Sequence, residues 1–138
     1  MLDARAAMAN RSSARLLHVA VVADNPETID ALHAYFSQAG VASNGKRTLN
    51  DAHRMAPAAT ALVLFPDDFD PGDIVTFITS LRSARPKLLI LLVTGTPQSF
   101  RSALGPDGRS LPPMVLPKPA FGWTILDALR AHAHSEST

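Results

Sequence analysis

Short runs of apolar, often β-branched residues alternate along this chain with stretches in which apolar residues recur every three or four positions. The first pattern suits strands buried on both faces and the second suits helices with one apolar stripe. The alternation therefore predicts an α/β fold, a parallel sheet covered by helices on both sides. The first strand, about 16–23, leads into Asn25-Pro26-Glu27, where Asn or Asp can cap a helix and proline fits its first position. Ile29, Leu32, Tyr35 and Phe36 form the inner stripe of that helix, and Gly40 stops it where a left-handed residue is usual. A weaker strand over about 41–48 follows, then a short helix through Leu49, Ala52, His53 and Met55 that Pro57 closes.

The third strand is Ala61-Leu62-Val63-Leu64-Phe65, and Asp67-Asp68-Phe69-Asp70-Pro71-Gly72 reads as a loop. Helix three turns Ile74, Phe77, Ile78 and Leu81 inward and ends before Pro86, because a residue preceding proline disfavours helix. Leu88 to Val93 is apolar throughout, which marks a central strand. After Thr94-Gly95-Thr96-Pro97 comes a short helix, about 98–104, then the turn-rich stretch Gly105 to Pro113. A fifth strand, Met114-Val115-Leu116, precedes a helix from about Phe121 to His132 with Ile125, Leu126 and Leu129 facing the sheet. The expected organisation is a flexible segment 1–15, one doubly wound domain 16–133 and a frayed tail 134–138.

Composition narrows the function classes. The 138 residues, 46% hydrophobic and 18% charged, suit one globular domain. A formal net charge of +1 without a run of Lys or Arg gives no electrostatic support for nucleic-acid binding. The absence of cysteine excludes disulfides, thiolate catalysis and Cys-based zinc sites, and a cytoplasmic location agrees with it. No apolar stretch is long enough to cross a bilayer, and the run at 16–23 is too short for the core of a secretory signal. The five histidines do not share a face, so no metal site is predicted from them. There is no phosphate-binding glycine loop and no serine nucleophile elbow, so no catalytic residue is assigned.

Ligands of open parallel sheets gather beyond the carboxyl ends of the strands. Here Asp24 follows the first strand, Thr94-Gly95 the fourth and Lys118-Pro119 the fifth. Singly these are a helix cap, a turn and a strand end. In this order and spacing they resemble the receiver domain of two-component response regulators, over about residues 16–133.

The resemblance implies a flavodoxin-like fold, strand order 2-1-3-4-5, and a phosphoacceptor aspartate ending the third strand. It further implies an acid pair after the first strand that holds magnesium with that aspartate. A Thr or Ser after the fourth strand and a Lys before a Pro after the fifth would contact the phosphoryl group. Position by position, the acid pair becomes Ala23 and Asp24, the acceptor Pro66, the hydroxyl Thr94 and the lysine Lys118. Val115 stands where receivers often carry an aromatic switch.

Proline at the acceptor position cannot be phosphorylated. With one carboxylate and one lysine the site would be neutral without a cation. The expectation is thus weak or lost magnesium binding at Asp24, no cofactor, and a direct or water-bridged contact from Asp24 to Lys118. Asp67 and Asp68 are expected as a solvated acidic loop before helix three; the alternative is a displaced phosphoacceptor, with magnesium required. Phe121 and Trp123 either fill space left by a short fourth helix or, with Val115, offer a partner surface.

The resulting expectation is a degenerate receiver, not an enzyme. It would act as a phosphorylation-independent interaction or dimerisation module towards a histidine kinase, an output protein or itself. The alternatives are a working receiver phosphorylated at Asp67 or Asp68, and a small flavodoxin-like enzyme or ligand sensor using the pocket near Asp24, Thr94 and Lys118.

Overall fold

Successive residues of the central strands face opposite sides of the sheet, and both sides are covered. On one side Val19, Val21, Val63, Leu91 and Val93 pack with Leu32, Phe36, Ile125, Leu126 and Leu129. On the other, Ala20, Val22, Leu62, Leu64, Ile90 and Leu92 pack with Ile74, Phe77, Ile78, Leu81 and Phe100. This two-sided burial explains why the strands read as unbroken apolar runs. The computed structural model describes residues 17–137, with side chains through His132. The predicted flexible segment 1–15 lies outside the described residues.

The elements alternate as the sequence predicts: β1 His18–Val22, α1 Pro26–Gln38, β2 Ala42–Lys46, α2 Leu49–Ala52, β3 Ala61–Leu64, α3 Pro71–Ala84, β4 Leu89–Thr94, α4 Arg101–Leu104, β5 Met114–Pro117 and α5 Gly122–Ser137. One 3₁₀ turn, Pro66–Asp68, follows β3, and another, Pro97–Phe100, precedes α4. The strands form one parallel sheet in the order β2-β1-β3-β4-β5. This is the doubly wound, flavodoxin-like architecture. The order reverses between β1 and β3, so the crevice such sheets use for ligands opens there.

Local chemistry sets the helix starts. Asn25 accepts from the Glu27 N–H at 2.9 Å, Thr48 from Asp51 at 3.0 Å and Asp70 from Asp73 at 3.1 Å. Pro26 and Pro71 occupy first-turn positions, where a missing N–H costs nothing. Gly40 has φ +78, the left-handed conformation expected after α1. At the other end of the chain the prediction needs correcting. Helical backbone continues to Ser137, through the stretch read as a tail, because nothing after Gly122 is a glycine or proline that would break it.

The stretch after α4 is organised by a buried arginine. Arg82, 6% exposed, donates to the Ala103 carbonyl at 2.9 Å, the Gly105 carbonyl at 2.7 Å and the Ser110 hydroxyl at 2.7 Å. Its Nη2 faces the Asp107 carboxylate at 3.6 Å, beyond hydrogen-bond range. Asp107 in turn accepts from the Ser110 hydroxyl and from the Ser110 and Arg109 N–H groups, with Arg82 nearby, and these hold its carboxyl well below the usual range. Arg85 plays the same part at α2, donating to the carbonyls of Met55 and Ala56.

Candidate functional site at the carboxyl edge of the sheet

The strand register places four strand ends side by side. Val22 pairs with Leu64, Leu64 with Leu92, and Thr94 with Pro117. Beyond them lie Asp24, Pro66, Gly95 and Lys118. Thr94 itself closes β4 and is fully buried. The ladder between β1 and β3 runs one step past the strand, with the Phe65 N–H donating to the Val22 carbonyl at 2.9 Å. At Pro66 it stops. Proline has no N–H to extend the ladder, and its fixed φ suits the first position of the turn that begins there. The Asp68 and Phe69 N–H groups then donate back to Phe65 and Pro66, closing the 3₁₀ turn.

That turn aims two adjacent carboxylates in different directions. Asp67 reaches the end of β4: its Oδ1 accepts from the Thr94 hydroxyl at 2.5 Å and its Oδ2 from the Gly95 N–H at 3.0 Å. Lys118 Nζ, from the end of β5, lies 3.3 Å from the same Oδ2. Asp68 instead reaches the end of β1, where its Oδ2 accepts from the Asp24 N–H at 3.0 Å. The Thr94 hydroxyl also accepts from the Thr96 N–H at 3.0 Å, which fixes the direction of its proton towards Asp67.

Two expectations are thereby corrected. Asp67 and Asp68 are not a purely solvated loop; both are turned onto the strand ends. The argument that adjacent residues point to opposite faces holds within a strand, and here the strand has already given way to a 3₁₀ turn. Asp24 does not meet Lys118 either. Its exposed carboxylate lies 3.9 Å from Arg47 Nη2, and its carbonyl accepts from Arg47 Nε at 2.9 Å. Lys118 is taken by Asp67. The pocket thus gathers three carboxylates, of Asp24, Asp67 and Asp68, against the two cations of Lys118 and Arg47, a balance of −1 in place of the neutral pair expected.

Burial pushes the Asp67 carboxyl up, but the Thr94 hydroxyl, the Gly95 N–H and the Lys118 ammonium together outweigh it. They hold the group below the ordinary carboxylate range. At neutral pH it is therefore an anion facing one hydroxyl, one amide and one ammonium donor.

The oxygens at this edge are mostly engaged by donors of the chain itself. Both oxygens of Asp67 face donors, Asp68 faces the Asp24 N–H, Asp24 faces Arg47, and Ala23 has no side-chain oxygen. Among the described residues, no group of three or more His, Cys, Asp or Glu is arranged to hold a metal ion.

The remaining site residues lie beside this pocket. The Lys118–Pro119 peptide bond is cis. Val115 is half-buried, paired in register with Leu92 and packed on the α3 side of the sheet. Phe121 and Trp123 are 59% and 57% exposed and stacked, with ring centroids 6.2 Å apart and planes 6° from parallel. They do not fill the space beside the short α4; Phe100, Ala103 and the Arg82 side chain occupy it. Between them, Gly122 lets α5 approach Tyr35 of α1, since a Cβ there would lie 2.9 Å from the Tyr35 ring. Sequence reasoning missed Arg47, the Gly95 amide and the buried role of Arg82. For Arg82 the signal was present: it stands four residues after Ile78, on the same inner stripe as Ile74, Ile78 and Leu81.

No protein-family model matches the sequence, and no curated protein matches it. Solved structures do. The chain is similar to the signal receiver domain of an HD domain-containing protein from Pseudomonas fluorescens Pf-5, with 20% identity and a TM-score of 0.66 over 88% of this chain and 92% of that one. It is also similar to a response regulator receiver protein from Sinorhizobium medicae WSM419, with 15% identity and a TM-score of 0.71 over 90% and 98%. A two-component response regulator from Clostridium difficile gives 12% identity and a TM-score of 0.71 over 88% and 99%. The chain has the receiver fold.

Proposed function

We propose that this chain is a receiver-like module of a two-component pathway that works without accepting a phosphoryl group. In this reading it signals by binding a protein partner, a kinase, an output protein or a second copy of itself, in the cytoplasm. One observation carries the reading. The position that starts the turn after β3 is a buried proline, and the hydroxyl and ammonium groups that would receive a phosphoryl group already hold the Asp67 carboxylate. The surface this reading assigns to the partner is the stacked pair Phe121 and Trp123, with Val115 as a separate, half-buried position on the α3 side of the sheet.

A second reading has a specific observation in its favour. Asp67 is turned into the pocket beside Thr94 and Lys118, where a displaced phosphoacceptor would have to be. Against it, the donors that would stabilise a transferred phosphoryl group are spent on the acceptor itself, and position 23, where the resemblance implies a second acid, is alanine. Incubation with acetyl phosphate and magnesium, followed by intact-mass measurement, tests the two readings. The proposed function expects an unchanged mass. A phosphoryl adduct lost in Asp67→Asn would establish the second reading in its place.

A further inference from the structure

Three donors from two strands converge on one side chain of a third. The Thr94 hydroxyl and Gly95 amide come from the end of β4, and the Lys118 ammonium from the end of β5. Their target, Asp67, sits on the turn that Pro66 starts after β3. The donors have separate supports. Thr94 is fully buried and its hydroxyl is oriented by the Thr96 amide, and Gly95 directly follows the last residue of β4. Such a set of hydroxyl, amide and ammonium is a small oxyanion site, and charge-assisted hydrogen bonds of this kind are the strong ones.

We infer that Thr94, Gly95 and Lys118 form a carboxylate-binding site whose ligand is the chain's own Asp67, tethered on the Pro66–Asp68 turn. The inference deepens the proposed function and rests on it: the pocket is closed to outside anions because it is already filled from within. Asp67 is then the positioning residue for Lys118, three residues before Phe121 in the segment that carries the aromatic pair.

Removal of the tethered ligand should leave a vacancy the size of a carboxylate, which formate fits. The wild type and Asp67→Gly are melted across a series of sodium formate concentrations, with sodium chloride at matched ionic strength as control. The expected result is a saturable rise in Tm with formate for Asp67→Gly, absent in the wild type and absent in Asp67→Gly combined with Thr94→Val. A response equal to that of chloride, or the same response in the wild type, would overturn the inference.

If Asp67→Gly does not fold, Asp67→Asn keeps the shape while removing the charge facing Lys118. Acetylation of Lys118 by limiting acetic anhydride, read by peptide mass spectrometry, should then be several-fold faster than in the wild type. An unchanged rate would overturn the inference. The acetyl phosphate experiment on the wild type stands apart from both. An adduct there removes the proposed function, whereas no adduct together with no formate response removes only the internal ligand.

Discussion

The carboxylates of Asp67 and Asp68, adjacent in sequence, are bound at opposite sides of β3: Asp67 to Thr94 and Gly95 beyond β4, Asp68 to the Asp24 amide beyond β1. One 3₁₀ turn thus ties the ends of three neighbouring strands, and through Lys118 a fourth.

Thr94 is fully buried and donates to Asp67, so Thr94→Val should remove a charge-assisted bond and leave the carboxylate without one of its donors. The expected loss is about 1–3 kcal/mol of unfolding free energy. Thr94→Ser, which keeps the hydroxyl, should lose clearly less. Urea unfolding of both variants at neutral pH checks this, and equal losses would show that the methyl packing matters and the hydroxyl does not.

The acid dependence of stability follows from the direction of the Asp67 shift. Its carboxyl is held below the ordinary value in the folded chain, so its ionised form adds stability above that ordinary range. The contribution disappears as pH falls through the folded value. Between pH 7 and about pH 3, the ordinary carboxylate region, the wild type should lose more stability than Asp67→Asn. Parallel stability profiles for the two would show that Asp67 is not linked to folding.

Gly45, in edge strand β2, lies directly against Ile29 of α1. A Cβ at this position would be 2.1 Å from Ile29 Cγ2. Gly45→Ala should therefore cost about 1–3 kcal/mol, the range for overpacking a well-filled site. Combination with Ile29→Ala, which removes the offending methyl, should relieve the clash, so the two changes together should cost less than the sum of each alone. Thermal or urea unfolding of the cycle measures this.

Arg82→Met should keep much of the buried stem while deleting the hydrogen bonds to Ala103, Gly105 and Ser110. At about 1 kcal/mol for each typical hydrogen bond, the loss should be of order 3 kcal/mol. It should also be local, with limited proteolysis accelerated within residues 105–113. Cleavage elsewhere at the same enhanced rate would mean that Arg82 supports the whole domain and not this segment.

Trp123 is the single tryptophan and is largely exposed, so its fluorescence should be readily quenched by acrylamide in the free protein. Trp123→Ala should change stability by less than about 0.5 kcal/mol, as surface substitutions usually do. The same substitution should abolish any concentration-dependent self-association seen by sedimentation. Association that persists in Trp123→Ala would place the interface elsewhere.

The sheet was largely legible in the sequence because β1, β3 and β4 are buried on both faces, and that burial writes itself as uninterrupted apolar runs such as Leu88 to Val93. Helix starts were legible through Asn25 and the prolines that follow the caps. The site was legible only in part. Thr94 and Lys118 belong to strand ends, where register alone brings them together. The direction of Asp67 depended on where β3 stopped, and Pro66 ends it one step sooner than a strand-based reading of the loop assumes. Pairings of long side chains, Arg47 with Asp24 and Arg82 with the stretch after α4, cross 23 residues or more and leave no local pattern.

The turn at Pro66 also limits which residues that position can carry. Pro66→Asp alone would bring a fourth carboxylate to an edge that already holds Asp24, Asp67 and Asp68 with only Lys118 and Arg47 to balance them. The newcomer would compete with its own neighbour for one ammonium group. An acid placed at residue 66 would therefore be accommodated only if residue 67 changed with it, so the turn couples what these two positions can carry.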